Sequence, residues 1–171
     1  MFDLSKEKYQ ACSPHGLLQL LPIPDRVWEA INMDFIVRLP KSNGYDTIMV
    51  VIDKLSKYGH FIPLRHLYST RSVAEIFTKE IVKLHDIPSS IVSDRDSIFF
   101  SLFWEELFSL QDSTLKMSTA YHPEKDGQTE VLNMVLETYL RCFSSEQPKM
   151  WVKFIPWAVY WYNTSYQAVA K

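Results

Sequence analysis

The sequence has few of the residues that mark disordered, disulfide-bonded or membrane-spanning proteins. Four glycines and nine prolines among 171 residues, with 47% hydrophobic residues, exclude collagen-like and low-complexity chains. Cys12 and Cys142 form no CxxC pair, so we expect neither a disulfide scaffold nor a self-contained zinc finger. Charged residues interrupt every apolar stretch before the roughly 18 residues that a membrane span needs, so no membrane partner is expected.

A net positive charge is also absent, because 18 basic residues are balanced by 20 acidic ones and the formal net charge is −2. Proteins that bind nucleic acid usually carry a basic surface, so bulk charge alone does not favour that function. The charge is uneven, however, since residues 38–71 carry six basic and two acidic residues, a local charge of +4. Such a block is compatible with phosphate contacts, or with a solvated sheet edge whose lysines prevent pairing with another strand.

The apolar pattern predicts one α/β domain. Residues 1–27 are expected to be a linker, because Pro22 and Pro24 forbid a regular helix there, and residues 28–171 are expected to form the folded core. Apolar runs predict strands at 33–39, Tyr45–Asp53, Tyr58–Leu64, Ser90–Ser93 and Leu115–Ala120.

Helical spacing predicts four helices in the same domain. The first has its apolar residues between Val73 and Leu84, with Thr70 or Ser72 as its N-cap, and the second is Leu102–Leu110. A long helix follows residue 129, and a last one has Pro148 in its first turn. The order β-β-β-α-β-α-β-α-α favours a mixed five-stranded sheet with helices on both faces.

Three acidic residues occupy positions that are more typical of a functional group than of an acid exposed to solvent. Asp34 interrupts an apolar strand, Asp94 ends a short strand, and Glu130 opens the long helix away from its apolar stripe. Converging carboxylates repel one another unless a cation neutralises them, and oxygen ligands favour Mg²⁺ or Mn²⁺. Two such ions support phosphodiester chemistry. Asp53 and Asp96 occupy similar strand positions and are credible substitutes for members of this trio, and Glu130 could simply complement the helix dipole.

The spacing of these acids resembles the D,D-35-E signature of retroviral and retrotransposon integrases. Asp34 and Asp94 are separated by 59 residues, and Asp94 and Glu130 by 35. From about Gly16 to its end, the chain is similar to the integrase core of gypsy-type (Metaviridae) long-terminal-repeat retrotransposons. The similarity is carried by LPIPDRVWEAINMDFIVRLPKSNGYDTIMVVIDKLSKYGHFIPL, IVSDRDSIFFSLFWEEL and LKMSTAYHPEKDGQTEVLNMVLETYLRCF.

This resemblance implies an RNase H-like fold and an enzyme that integrates DNA by polynucleotidyl transfer. In the family, water first trims the retroelement DNA end, and the exposed 3′-hydroxyl then attacks target DNA. Asp34, Asp94 and Glu130 match the catalytic acids, which would hold two Mg²⁺ or Mn²⁺ ions, and no zinc is expected. DNA is the implied partner, self-association is left open, and the nucleus is the implied location, although the chain carries no targeting signal.

Two groups of residues are candidate DNA contacts. By the same resemblance, the first group lies in or beside the loop Tyr121–Thr129, next to the retroelement DNA end: His122, Gly127, Gln128 and Asn133. Gly127 would supply backbone freedom, and a turn-capping role is an equal alternative for His122. The second group would line the substrate groove, unless it only shapes a strand turn: Lys57, Tyr58 and His60.

Departures from the family pattern predict reduced function. Asp86 and Asp112 occupy turns where the family usually has glycine, and a positive φ there would cost each aspartate of order 1 kcal/mol. The family's zinc-binding and C-terminal domains have no counterpart in the chain. We therefore expect impaired DNA 3′-end processing and strand transfer, with weak, salt-sensitive DNA binding.

Three other functions remain open from the sequence. One is a catalytically dead integrase remnant that at most binds nucleic acid. Another is a nuclease of the same fold, which would use water instead of a 3′-hydroxyl. The third is a protein-interaction module that uses the aromatic stripe Trp151–Tyr162, although such a stripe more often belongs to a core or a dimer face.

Overall fold

The computed structural model describes residues 23–111, 120–122, 127–143 and 146–166. The strands are β1 (Ala30–Ile36), β2 (Tyr45–Asp53), β3 (Gly59–Arg65), β4 (Ser90–Val92) and β5 (Ala120–His122). The helices are α1 (Thr70–Phe77), α2 (Lys83–His85), α3 (Ser97–Ser109), α4 (Gly127–Phe143) and α5 (Trp151–Tyr166). A π-helical stretch, Thr78–Val82, joins α1 to α2, and a 3-10 turn, Pro148–Met150, precedes α5.

The strands form one mixed sheet in the order β3-β2-β1-β4-β5. β1, β2 and β3 pair as an antiparallel meander, whereas β4 pairs in parallel with both β1 and β5. Helices cover both faces of this sheet. The predicted α/β fold class is therefore confirmed. β5 begins at Ala120, where the predicted fifth strand ended, and residues 115–119 lie outside the described part of the chain.

Two hydrophobic cores lie on opposite faces of the sheet, as expected for strands such as β2 that are buried along almost their whole length. We call the face covered by α1 and α3 the α1 face and the one covered by α4 and α5 the α4 face. Large buried side chains on the α1 face include Met33, Met49, Phe77, Phe100, Phe103 and Leu107. Those on the α4 face include Ile48, Val50, Phe61, Leu136, Leu140, Trp151 and Tyr162.

Two helices on the α1 face begin at polar caps. Ser69, rather than the predicted Thr70 or Ser72, caps α1, because its hydroxyl accepts from the Ser72 N–H while the Ser72 hydroxyl accepts from the Ser69 N–H. Asp96 caps α3 by accepting from the Phe99 N–H at 2.8 Å. That cap starts α3 five residues before the predicted Leu102.

α5 is fixed to β3 by a side-chain amide. Asn163 Nδ2 donates to the Gly59 carbonyl at 3.0 Å, and the Gly59 N–H donates to Asn163 Oδ1 at 2.8 Å. Gly59 has no room for a side chain, since an added Cβ would lie 2.7 Å from Tyr162 Cε1. α5 runs through Pro156 without a break, and none of the described helices is long and apolar enough to cross a bilayer.

The turn that follows α2 has a positive φ at Asp86, which is the condition under which the sequence predicts a cost. Asp86 has φ of 72° and ψ of −178°, a combination that is strained for a residue with a Cβ. Its Oδ1 accepts from the Ile87 N–H at 2.8 Å, which offsets part of the strain. Asp112, the other predicted site of this kind, lies outside the described residues, as do residues 1–22 of the predicted linker.

Candidate active site

Two of the predicted acids are brought together by the register of the parallel strands. Asn32 of β1 pairs with Val92 of β4, so Asp34 and Asp94 each lie two residues beyond the same ladder position. Side chains alternate along extended chain, and both acids therefore belong to the α4 face. Asp94 lies in the loop between β4 and α3 and is exposed, whereas Asp34 is half-buried.

The carboxylate of Asp34 is held by two donors. The Phe35 N–H donates to Oδ1 at 2.7 Å, and the Asn133 side-chain amide donates to Oδ2. Asn133 lies in α4, so this hydrogen bond docks the helix against β1 beside the acid. These donors fix the orientation of Asp34 and leave its remaining lone pairs for another ligand.

The pKa of Asp34 is raised above its ordinary value. Burial is the largest cause, because a half-buried carboxylate loses hydration. The Phe35 N–H lowers the pKa, and the negative charge of Asp94, which is close enough for a hydrogen bond between the carboxyls, raises it. Two carboxyl groups in this arrangement resist ionising together unless a cation lies between them.

The third predicted acid lies on the same helix as Asn133. Glu130 precedes Asn133 by three residues in α4, so its backbone is one helical turn nearer the start of the helix. Its side chain is outside the described part of the structure. Asn133 Oδ1 is buried and has no hydrogen-bond partner among the described residues, which marks an oxygen that a further ligand could satisfy.

The donor set fits a hard divalent cation. Asp34 and Asp94 supply carboxylate oxygens and Asn133 supplies an amide oxygen, which are ligands that Mg²⁺ and Mn²⁺ prefer. Among the described side chains, no three histidine, cysteine or acidic groups converge, and the side chain of Glu130 is not one of them. The predicted metal triad therefore stays a prediction, with two of its members side by side.

Three of the predicted DNA contacts lie at the same end of the molecule. His122 of β5 pairs with Val92, which places its backbone in line with the strand positions just before the two acids. Gly127 and Gln128 are the first two residues of α4. Their side chains are not described, and their contact with DNA stays a prediction.

The other predicted DNA group is placed elsewhere. His60 of β3 pairs with Val51, which packs on the α1 face, so its ring is on the opposite face from Asp34. Lys57 and Tyr58 lie in the turn beside it, near the start of β1. β3 contributes to the cores on both faces of the sheet, with Phe61 on the α4 face and Leu64 on the α1 face, so apolar alternation could not indicate which face His60 occupies. The structure does not bring these three residues to the acids.

His60 instead belongs to an aromatic cluster that the sequence did not predict. Its Nε2 is 2.9 Å from Nε2 of His85, and the His85 ring stacks on Trp28 with ring centroids 3.8 Å apart. Burial, followed by the neighbouring His85, lowers the pKa of His60 to about 4. Burial also lowers the pKa of His85, against an opposing effect of Asp53. Both rings are neutral near pH 7, consistent with a structural role.

The chain is similar in sequence to retrotransposon polyproteins. The Tf2-3 and Tf2-4 transposon polyproteins of Schizosaccharomyces pombe are each 36% identical to it over 152 residues. This alignment covers 89% of the chain and 11% of each polyprotein, so the chain spans about a tenth of the length of these relatives. No protein-family model matches the chain.

Solved structures share its fold. The HTLV-2 integrase catalytic core domain in complex with magnesium (dimeric form) superimposes with a TM-score of 0.56 and 15% identity, over 78% of this chain and 84% of that one. A chain of the simian T-cell lymphotropic virus intasome in complex with PP2A regulatory subunit B56 gamma gives a TM-score of 0.52 and 17% identity, over 78% of this chain and 48% of that one. At these identities the likeness establishes the fold alone, which is the fold implied by the resemblance.

Proposed function

The chain is a homologue of one segment of retrotransposon polyproteins with the fold of an integrase catalytic core, and from this premise we propose that it carries out polynucleotidyl transfer on DNA. The observation that carries the proposal is the closeness of the Asp34 and Asp94 carboxyl groups, each two residues beyond the last pair of the β1–β4 ladder. Two carboxylates this close, one of them half-buried, are unfavourable in a purely structural site, and they are useful where a cation must be bound.

Asp34, Asp94 and Glu130 would be the ligands of two Mg²⁺ or Mn²⁺ ions. Ions of this class, when bound, activate a water or hydroxyl nucleophile and neutralise charge at the phosphorus and the leaving oxygen. The neighbouring residues orient the ligands: the Phe35 N–H and the Asn133 amide hold the Asp34 carboxylate in one position. Support for magnesium comes from the HTLV-2 integrase core, which was solved with that ion.

The reaction consists of two phosphoryl transfers. In the first, water attacks a phosphodiester near the retroelement DNA end, a new P–O bond forms, and the bond to the leaving 3′-oxygen breaks. In the second, the freed 3′-hydroxyl loses its proton and forms a new P–O bond to a target phosphodiester, the bond to the target 3′-oxygen breaks, and that oxygen leaves and takes up a proton. His122, Gly127 and Gln128 are proposed to contact the DNA end, and the nucleus is proposed as the site of action.

A reaction that needs only the core tests this function. We propose to incubate the chain with a branched DNA that mimics the strand-transfer product, in the presence of Mn²⁺, and to resolve rejoined and released strands on a gel. Asp94→Asn and Glu130→Gln are expected to lower the rate at least about 100-fold, because each removes a metal ligand. Asp96→Asn is the matched control, since Asp96 caps α3 and asparagine caps equally well.

The products of this assay separate the alternatives. Rejoined target strands that require Asp94 and Glu130 support the transferase. Hydrolysis without rejoining indicates a nuclease. Absence of both products, with retained DNA binding, indicates a catalytically dead remnant, and product that persists in Glu130→Gln contradicts the proposed triad.

A further inference from the structure

The loop that carries Asp94 extends past the last hydrogen-bonded position of its strand. The β1–β4 ladder ends at Asn32 and Val92, so Asp94 is two residues beyond the last ladder pair. It is exposed and belongs to an irregular segment between β4 and α3. A ligand in such a loop needs another anchor to keep a fixed distance from Asp34.

Arg95 packs into an aromatic cage on the other face of the sheet. Its Cζ is 4.7 Å from the centroid of the Phe35 ring, 5.7 Å from that of Phe99 and 6.0 Å from that of Tyr68. Its Nη2 donates to the Tyr68 hydroxyl at 2.6 Å. The Phe35 ring stacks on Tyr68 and meets Phe99 edge-on, so the cage is itself well packed.

The cage joins the residues that follow the two acids. Phe35 comes directly after Asp34 in β1, and Arg95 comes directly after Asp94. Because side chains alternate, the two acids lie on the α4 face while Phe35 and Arg95 meet on the α1 face. A contact between a guanidinium and an aromatic ring is worth about 0.5 to 2 kcal/mol, and here three rings surround one guanidinium.

We propose that Arg95 is a positioning residue, which holds the loop of Asp94 against β1 through Phe35, Phe99 and Tyr68 and so sets the place of Asp94 beside Asp34. The proposal deepens the proposed function and depends on it for the role of Asp94 as a metal ligand. Asp96 anchors the end of the same loop by capping α3, so both residues that directly follow Asp94 are fixed to the protein.

The alternative use of Arg95 is direct contact with a DNA phosphate. A guanidinium that is surrounded by three rings and donates to Tyr68 is committed to the protein, and both Arg95 and Tyr68 are half-buried. The two uses differ in their consequences, because only a positioning residue changes the loop when DNA is absent.

The first measurement uses the whole chain without metal or DNA. Backbone ¹⁵N relaxation of the wild type is expected to give an order parameter at Asp94 near the value of about 0.85 of rigid backbone, and Arg95→Gln is expected to lower it to about 0.6. Arg65→Gln is the matched control, because Arg65, at the end of β3, places its Cζ 5.3 Å from the centroid of the Tyr45 ring of β2. An unchanged order parameter in Arg95→Gln overturns the proposal.

The second measurement is the affinity for Mn²⁺, followed by electron paramagnetic resonance. Arg95→Gln is expected to weaken binding about tenfold, as is typical when a partner behind a ligand is removed, and Arg65→Gln is expected to match the wild type. Arg95→Lys should restore part of the affinity, since lysine keeps the cation but not the flat stacking surface. Wild-type affinity in Arg95→Gln contradicts the proposal.

The two measurements separate this proposal from the proposed function. If the wild type binds no Mn²⁺, the proposed metal chemistry fails, while the order parameters still decide whether Arg95 holds the loop. If Arg95→Gln does not fold, the order parameter at Asp94 is compared between Arg95→Lys and the wild type instead. Denaturant unfolding of each variant shows whether the effect is local to the loop or belongs to the whole fold.

Discussion

The α1 face of the sheet is a packed core of aliphatic and aromatic side chains in which the two histidines pair with each other, whereas the α4 face has two carboxyl groups side by side at its edge. Burial keeps His60 and His85 neutral on the first face. On the second, burial and Asp94 both disfavour the charged form of Asp34. The comparison indicates that both faces stabilise the fold through a hydrophobic core, while the α4 face also retains an electrostatic repulsion that a cation would relieve.

The largest expected effect is on the packed face. Phe103 is fully buried and meets Phe77 edge-on with ring centroids 5.4 Å apart. Phe103→Ala is expected to lower the free energy of unfolding by about 4 kcal/mol, because the lost ring leaves a cavity. Urea unfolding followed by circular dichroism measures the change, and a loss below about 1 kcal/mol would contradict the placement of Phe103 in a packed core.

The histidine cluster gives the second effect, which depends on pH. The folded pKa of His60 is about 4, below its ordinary value of 6.5, so the unfolded chain binds the proton more readily. The contribution of neutral His60 to the free energy of unfolding should be fully present above pH 6.5 and should be lost as the pH drops towards 4. The loss should be on the order of 1 to 2 kcal/mol once partial exposure of the ring is allowed for.

The groups around His60 define the control for this pH dependence. His85 and Tyr58 contact its ring, and Asp53 lies near His85. His60→Phe removes the titrating group while keeping an aromatic ring beside Trp28, so it should flatten the dependence between pH 6.5 and 4. An equal slope in wild type and His60→Phe would show that other groups cause it.

The third effect is on the turn after α2, at Asp86. Asp86→Gly is expected to raise the free energy of unfolding by about 1 kcal/mol, because glycine adopts a positive φ without steric strain. Asp86→Ala is the control, since alanine keeps the Cβ and loses the hydrogen bond to the Ile87 N–H. Thermal unfolding distinguishes them, and equal stability of the two variants would indicate that φ at this position costs nothing.

The smallest effect is on the acid pair. The pKa of Asp34 is raised in the fold, so its protonated form is favoured and its charge at pH 7 is destabilising. Asp34→Asn should therefore stabilise the metal-free chain at pH 7 by about 0.5 kcal/mol, and the gain should vanish as the pH falls below 3.8. Destabilisation by Asp34→Asn at pH 7, measured against Asp96→Asn, would mean that Asp34 is a structural acid.

The sequence predicted the sheet and the acid pair because each leaves a local signal. Asp34 lies within the apolar run of β1 and Asp94 lies two residues after the end of β4, and parallel pairing of the two strands brings the acids together. The start of α3 was misplaced because its first turn, from Ser97, has no amphipathic period, and only the Asp96 cap indicates it.

Long-range contacts between side chains left no such signal. Asn133 was predicted to contact DNA, and in the fold it donates to Asp34, 99 residues away. The Arg95 cage is formed by residues from β1, from the segment before α1 and from α3. The contact of Trp28 with His85 also joins segments that are far apart in the sequence. Spacing along one chain cannot reveal contacts that depend on how three elements pack.

The central claim, that the acid pair binds a divalent cation, is tested most directly by thermal unfolding with and without Mn²⁺. At ten times its dissociation constant the ion should stabilise the wild type by about 1.4 kcal/mol and raise its Tm by about 3 to 6 °C. Asp96→Asn should show the same rise, and Asp94→Asn should show none. An equal rise in Asp94→Asn, or no rise in the wild type at millimolar Mn²⁺, would contradict the claim.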